Sequence, residues 1–244
     1  MKKLLSLVLG MLMSVSLMAQ FGDDDYEELL ILKADQNWEK LIRQAEKMTV
    51  KNKTKNDPVP YYYLAYGLYK ISFIGDRPDE YKNAYKDALT AVGKMGRKDS
   101  DGAVEEEYEE FFNELKYSLL EIIRNEIEAD EYRRAFGWVM KIYKFDRDHI
   151  GGKYLEGACR YRNGDKATAR SKWKEAAQLI EELESTSDWM EADRDIIKLG
   201  MYESAKCQLD ARQTDAAKEI MNLGNQWFEE DEDWKRWYDK IVNG

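Results

Sequence analysis

Small residues separate two apolar patterns of helical period between Ile150 and Leu183. Apolar or small side chains recur there at intervals of three and four residues, which is the period of an α-helix. The tripeptide Asn163-Gly164-Asp165 divides the stretch. Asn and Gly tolerate the left-handed backbone that ends a helix, and Asp caps the amides that open the next one. The pattern therefore predicts two helices joined by a short turn.

The two predicted helices carry the residues that a close crossing needs. Gly157 on the first helix lets the second helix approach, while Ala169 and Ala176 on the second leave a slot into which Trp173 projects. With Ile150 as the first position, these four residues fall on the small and aromatic positions of the tetratricopeptide repeat (TPR), a 34-residue helix-turn-helix. The stretch therefore resembles that family.

The same spacing of small residues recurs along most of the chain after residue 20. The packing positions of the repeated pattern are occupied by Gly67, Ala84, Ala135, Gly157, Ala169, Trp173, Ala176, Ala205 and Ala217. The resemblance implies a single all-α domain over 20–244, a TPR-like α-solenoid of about five helix-turn-helix units. The units are expected at about 22–57, 60–100, 116–149, 150–183 and 198–230, with a C-terminal capping helix over 231–244.

The chain departs from the family pattern in three respects, of which one is that Glu181 stands where the family has a proline. The Trp typical of the first helix is absent, because Lys153 and Met201 occupy its place. The step from Ala169 to Ala217 is 48 residues, 14 more than one 34-residue repeat. We expect longer helices on both sides of the segment 185–188 to accommodate the excess. A related or less regular helical stack is the alternative architecture.

The first 19 residues have the order of a secretory signal peptide. Lys2 and Lys3 precede an apolar run that ends near Met18, and the small residue Ala19 follows. The pattern predicts an exported protein, located in the periplasm, with no membrane insertion after the signal is cleaved. A membrane anchor is the alternative, since the apolar run approaches the length of a spanning helix.

The charge of the chain excludes one class of partner. The formal net charge is −10, and removal of the two lysines with residues 1–19 changes it to −12. An acidic surface repels phosphate backbones, so we expect no nucleic-acid partner.

No residue pattern indicates catalysis, a metal site or a cofactor. His149 is the single histidine, and it stands at a predicted helix start, which is the structural role expected of it. No Gly-rich phosphate loop, HExxH or CxxC motif occurs. Cys159 and Cys207 occupy equivalent positions in neighbouring predicted units, whose helices are about 8–10 Å apart. A disulfide needs a closer approach, so both are expected to be buried free thiols.

The resemblance also implies a concave groove lined by the first helix of each unit. The groove positions are occupied by Tyr61, Leu64, Leu68, Tyr117, Arg124, Tyr154, Tyr161, Arg162, Tyr202 and Lys206. Tyr and Arg are enriched where protein surfaces bind partners. We therefore expect a non-catalytic scaffold or adaptor that binds a protein or peptide partner in the cell envelope. The alternatives are a glycan-binding accessory subunit, an envelope enzyme that uses groove carboxylates, and tyrosines that only pack between units.

Aromatic residues are concentrated at the carboxyl end. Trp234, Trp237, Tyr238 and Ile241 recur at three- and four-residue steps. A terminal helix that shields the last apolar face of a repeat stack has this pattern. An aromatic docking site for a partner is the alternative, and the sequence leaves the oligomeric state open.

Overall fold

A computed structural model describes residues 23–244, and all regular secondary structure within that range is helical. The all-α prediction is confirmed. The predicted signal peptide over residues 1–19 lies outside the described residues. The α-helices in chain order are α1 (Asp23–Ala34), α2 (Trp38–Val50), α3 (Val59–Ile71), α4 (Ala84–Met95), α5 (Ala103–Glu107), α6 (Glu109–Glu128), α7 (Tyr132–Ile142), α8 (Ile150–Arg162), α9 (Lys166–Glu181), α10 (Glu191–Asp210), α11 (Thr214–Phe228) and α12 (Glu232–Tyr238). A 3₁₀ turn at Asp79–Tyr81 and a π-helical turn at Asp239–Asn243 complete the described chain.

Consecutive helices pack in pairs, and the pairs contact one another. The pairs are α1–α2, α3–α4, α6–α7, α8–α9 and α10–α11, and successive pairs meet through α2–α3, α7–α8 and α8–α10. The first helices of the third and fifth pairs begin about two turns before the predicted units, at Glu109 and Glu191. Both are 20 residues long, whereas α8 has 13.

The crossing of α8 with α9 depends on the contact between Gly157 and Trp173. The Trp173 ring lies directly on Gly157, so a Cβ atom at that position would overlap the indole. Ala169 and Ala176 are completely buried on the same face of α9. The other small residues of the repeated pattern are also buried, namely Gly67, Ala84, Ala135, Ala205 and Ala217. Small side chains thus set the distance between paired helices.

The backbones of α8 and α10 approach each other more closely than ordinary side chains allow. A Cβ atom at Gly151 would lie 2.6 Å from the Ile197 nitrogen and 2.7 Å from the Ile196 carbonyl oxygen. A Cβ atom at Gly200 would lie 2.7 Å from the Gly151 oxygen. Any larger residue at these glycines would have to move one helix backbone away from the other.

The longer helices α6 and α10 contact each other beyond the N-terminus of α8. The Ala192 amide donates to the Asn113 side-chain oxygen at 2.9 Å across this contact. In a regular repeat array each unit contacts only its neighbours, so this direct contact between the third and fifth pairs is a local irregularity. The expectation of longer helices on both sides of residues 185–188 holds for α10 only. On the other side α9 ends at Glu181, and 182–190 form an irregular connection.

The C-terminal segment covers the end of the α10–α11 pair. Trp234 is completely buried and lies on Gly224 of α11, where a Cβ atom would overlap its ring. The Asp231 carboxylate caps α12 by accepting from the Trp234 amide at 2.9 Å. The Trp237 ring stacks on Tyr202 of α10 with ring centroids 4.4 Å apart. These aromatic side chains therefore bury the last apolar face of the stack.

Candidate functional site

Half of the ten predicted groove residues lie in the hydrophobic core. Tyr61, Leu64, Leu68, Tyr154 and Tyr202 are buried, and Tyr154 is only 2 % exposed. This corrects the expectation of an accessible groove at these five positions, because a side chain enclosed by protein cannot contact a partner.

These five side chains are buried because of the rotation of their helices and the close spacing between neighbouring helices. On α3 the Tyr61 hydroxyl faces back towards the end of α2 and lies within hydrogen-bond distance of two carbonyl oxygens, those of Thr49 at 3.2 Å and Lys55 at 3.0 Å. Tyr66 and Lys70 are the side chains of α3 that reach solvent. On α8 the close approach of Gly200 closes α10 over Tyr154. Burial raises the pKa of the Tyr154 hydroxyl.

The other five predicted groove residues are Tyr117, Arg124, Tyr161, Arg162 and Lys206, and all retain contact with solvent. Their three cations are neutralised within the chain: Arg124 pairs with Glu121 at 2.7 Å, Lys206 with Glu203 at 2.6 Å, and Arg162 with Asp210. Tyr161 packs against the Trp173 ring. The five residues offer no concentrated charge of either sign to a ligand.

A half-open cavity of about 340 Å³ is lined by residues of α5, α6, α8, α9 and α10. The connection 182–190 and the connection between α7 and α8 border it. Its lining comprises four buried or half-buried polar groups, an apolar wall and a polar rim. The polar groups are Glu105, Lys116, His149 and Asp193; the wall is Phe145, Ile150, Leu179, Leu183, Trp189 and Ile197; the rim is Asp146, Asp148, Ser185 and Asp188. The volume lies in the range of ligand pockets, about 300–1,000 Å³.

A buried carboxylate organises the base of the cavity. Asp193 accepts from the Lys116 ammonium at 2.9 Å and from the Met190 amide at 3.1 Å, and its second oxygen lies 3.0 Å from His149 Nε2. Burial alone would raise the pKa of the Asp193 carboxyl. The hydrogen bond from His149 and the positive charge of Lys116 outweigh burial and lower that pKa to about 2. Asp193 is therefore ionised at neutral pH.

His149 performs a structural task in this cluster. It is the N-cap of α8, and its Nδ1 accepts from the Gly152 amide at 3.3 Å. Because Nδ1 accepts, the proton of the neutral ring lies on Nε2 and points to Asp193. Both ring nitrogens are thus occupied, and neither is free to accept a proton from a bound molecule.

The Lys116 ammonium is also bound by other groups of the protein. It lies 3.6 Å from Glu105 and 2.9 Å from Asp193, and it is also near the face of the Phe145 ring, 5.5 Å from its centroid. Burial raises the pKa of Glu105, and the charge of Lys116 opposes this effect. Five carboxylates line the cavity with one ammonium. The site is consequently negative.

The described residues form no comparable site for a metal ion or a reactive thiol. Across the part of the chain that the structure describes, no group of three or more His, Cys, Asp or Glu side chains is arranged to hold a metal ion. Cys159 and Cys207 are unpaired and buried, and burial raises the pKa of each thiol to about 12. None of the helices in 23–244 has the length and apolar character needed to cross a membrane.

Comparison of the chain with protein-family models, with curated proteins and with solved structures finds no match. The site is therefore defined by its own geometry.

The cavity was not predicted from the sequence. Two signals were nevertheless present: the 14 residues in excess of one repeat between Ala169 and Ala217, and the acidic residues of "FDRDH" and "STSDW" in turn regions. The structure places these two acidic segments at the same opening.

Proposed function

We propose that this protein is a non-catalytic, exported scaffold with a TPR-like stack of helix pairs, and that it binds a protein or peptide partner at the cavity rather than in a tyrosine-lined groove. The proposal rests on one observation: the polar groups at the base of the cavity are already bound to other groups of the protein. Lys116 and His149 both bind Asp193. The features that remain for a ligand are the shape of the cavity, its apolar wall and its negative charge.

The same contacts argue against an enzyme at this site. A general base at neutral pH needs a free acceptor with a pKa near 7. His149 has no free nitrogen, and a carboxyl with a pKa of about 2 is a weak base. Burial raises the pKa of Glu105, but this carboxylate lies 3.6 Å from the Lys116 ammonium, which opposes the rise. The repeat-like architecture is supported by the packed helix pairs and by the crossing of Gly157 with Trp173. The exported location rests on the order of residues 1–19.

Affinity capture with matched charge reversals tests the proposal. The tagged protein, an Asp188→Lys variant and an Asp35→Lys variant are used to capture proteins from an envelope extract. Asp188 is an exposed residue at the rim of the cavity, whereas Asp35 is exposed in the turn between α1 and α2. We expect a partner that the wild type and Asp35→Lys retain and that Asp188→Lys loses. Equal retention by all three proteins would refute the cavity as the binding site.

A further inference from the structure

We propose that the cavity binds the guanidinium group of an arginine side chain, presented by a basic segment of the partner. This inference rests on the proposed function and specifies what the site recognises. It is drawn from the distribution of charge around the opening, from the aromatic wall and from the volume.

Two carboxylates at the opening have no cationic partner among residues 23–244. Asp146 belongs to the connection between α7 and α8, and Asp188 to the connection between α9 and α10. Among the described residues, no Lys, Arg or His lies within 4.0 Å of either carboxylate, although other acids of the lining are paired. Within the described part of the chain, Asp146 accepts from the Asp148 amide at 2.8 Å, and Asp188 accepts from the Ser187 hydroxyl at 2.8 Å. Both carboxylates are therefore available to a cation that enters.

The positive charges near the cavity do not cancel this negative charge. Lys116 is shared between Asp193 and Glu105 at its base. Lys153 lies 3.7 Å from Asp148 but also pairs with Glu175 at 3.4 Å. Arg194 is 6.0 Å from the centre of the Trp189 ring, and its guanidinium donates to the Trp227 carbonyl oxygen at 3.2 Å. Each of these cations is held by another group. Arg147, between Asp146 and Asp148 in the chain, is exposed and does not line the cavity. The lining of the opening therefore remains negative.

The wall and the volume favour arginine over other cations. A guanidinium is planar, stacks on aromatic faces and donates to several carboxylate oxygens at once, and it is more weakly hydrated than an ammonium. Trp189 and Phe145 contribute two aromatic rings to the wall of the cavity. The chain already places a cation near each ring, since Arg194 lies 6.0 Å from the Trp189 centroid and Lys116 lies 5.5 Å from the Phe145 centroid. A cavity of about 340 Å³ accommodates one long side chain with a few waters, but not a folded segment.

Nuclear magnetic resonance of the purified protein tests the inference directly. The indole N–H signal of Trp189 is assigned by its loss in a Trp189→Phe variant. N-acetyl-arginine amide is then titrated, with N-acetyl-citrulline amide as a neutral analogue of the same shape and N-acetyl-lysine amide as a compact cation. We expect a saturable shift of the Trp189 signal with the arginine compound, a weaker response to the lysine compound and none to citrulline.

Matched variants separate charge recognition from a general effect. Each exposed ion pair contributes up to about fivefold in affinity, so Asp146→Asn with Asp188→Asn is expected to weaken the arginine compound by about tenfold. Asp35→Asn with Asp101→Asn removes two exposed acids elsewhere and is expected to have no effect. An unchanged melting temperature shows that both double variants fold.

Three results would overturn the inference: an equal response to citrulline, tighter binding of the lysine compound, or undiminished binding by the Asp146→Asn and Asp188→Asn variant. Its failure is distinguishable from failure of the proposed function. Capture that depends on Asp188 without any arginine binding would reject the guanidinium and leave the scaffold proposal in place. Arginine binding without any captured partner would reject the scaffold proposal and leave the guanidinium site in place.

Discussion

Replacement of Gly151 by Ala tests the close approach of α8 to α10. The added Cβ would lie 2.6 Å from the Ile197 nitrogen and 2.7 Å from two atoms of Ile196, all of them backbone atoms. Relief of the overlap requires one helix to move by nearly 1 Å, since ordinary contacts begin at about 3.4 Å. Overpacking of this kind costs about 1–3 kcal/mol. In a chain of this size each kcal/mol lowers the melting temperature by about 2–4 °C.

We therefore expect Gly151→Ala to lower the melting temperature by about 2–12 °C, measured by differential scanning calorimetry. Gly137→Ala is the matched control, because Gly137 lies within α7 and a Cβ there would meet no atom within 4 Å. Ala is favoured over Gly in a helix by about 0.5–1 kcal/mol, so the control is expected to raise the melting temperature slightly. A neutral or stabilising result at Gly151 would show that the two backbones are farther apart than described.

Three further predictions concern the buried polar groups and thiols. Lys116→Met leaves Asp193 and Glu105 without their cation, so we expect it to lower the free energy of unfolding in urea by about 3–5 kcal/mol. Adding Asp193→Leu should restore part of this loss. Strictly additive losses from the two substitutions would contradict the pairing. Because the pKa of Asp193 is lowered to about 2 from an ordinary value of 3.8, its contribution of about 2 kcal/mol is complete above about pH 4 and is lost as the pH falls towards 2. Asp193→Asn should flatten this part of a stability–pH curve, and an unchanged slope would refute the assignment. Cys159 and Cys207 should react with a thiol reagent only after unfolding, as two free thiols, and recovery of a disulfide between them would contradict the structure.

The sequence allowed prediction of features that depend on local periodicity. The spacing of Gly157, Ala169 and Trp173 located a helix crossing, because small and large residues at fixed helical intervals leave few other ways to pack. The turn at Asn163-Gly164-Asp165 was visible for the same reason: Gly164 has a φ of 91°, and Asp165 accepts from the Thr168 amide. Local chemistry determines such features.

Features that depend on distant contacts could not be predicted in this way. Lys116 and Asp193 are separated by 77 residues, and nothing in the local pattern of either residue indicates that they meet. Tyr154 occupies a groove position by helical projection, yet Gly200 brings α10 over it. The cavity is bordered by two irregular connections whose residues have no period from which to derive a position.

Competitive elution tests whether partner binding and arginine recognition occur at the same cavity. A partner held by the immobilised protein is washed with N-acetyl-arginine amide, with N-acetyl-citrulline amide, and with sodium chloride at equal ionic strength. We expect the arginine compound to release the partner, whereas the other two washes leave it bound. Retention of the partner in the arginine wash, or equal release by citrulline or by salt, would contradict the account.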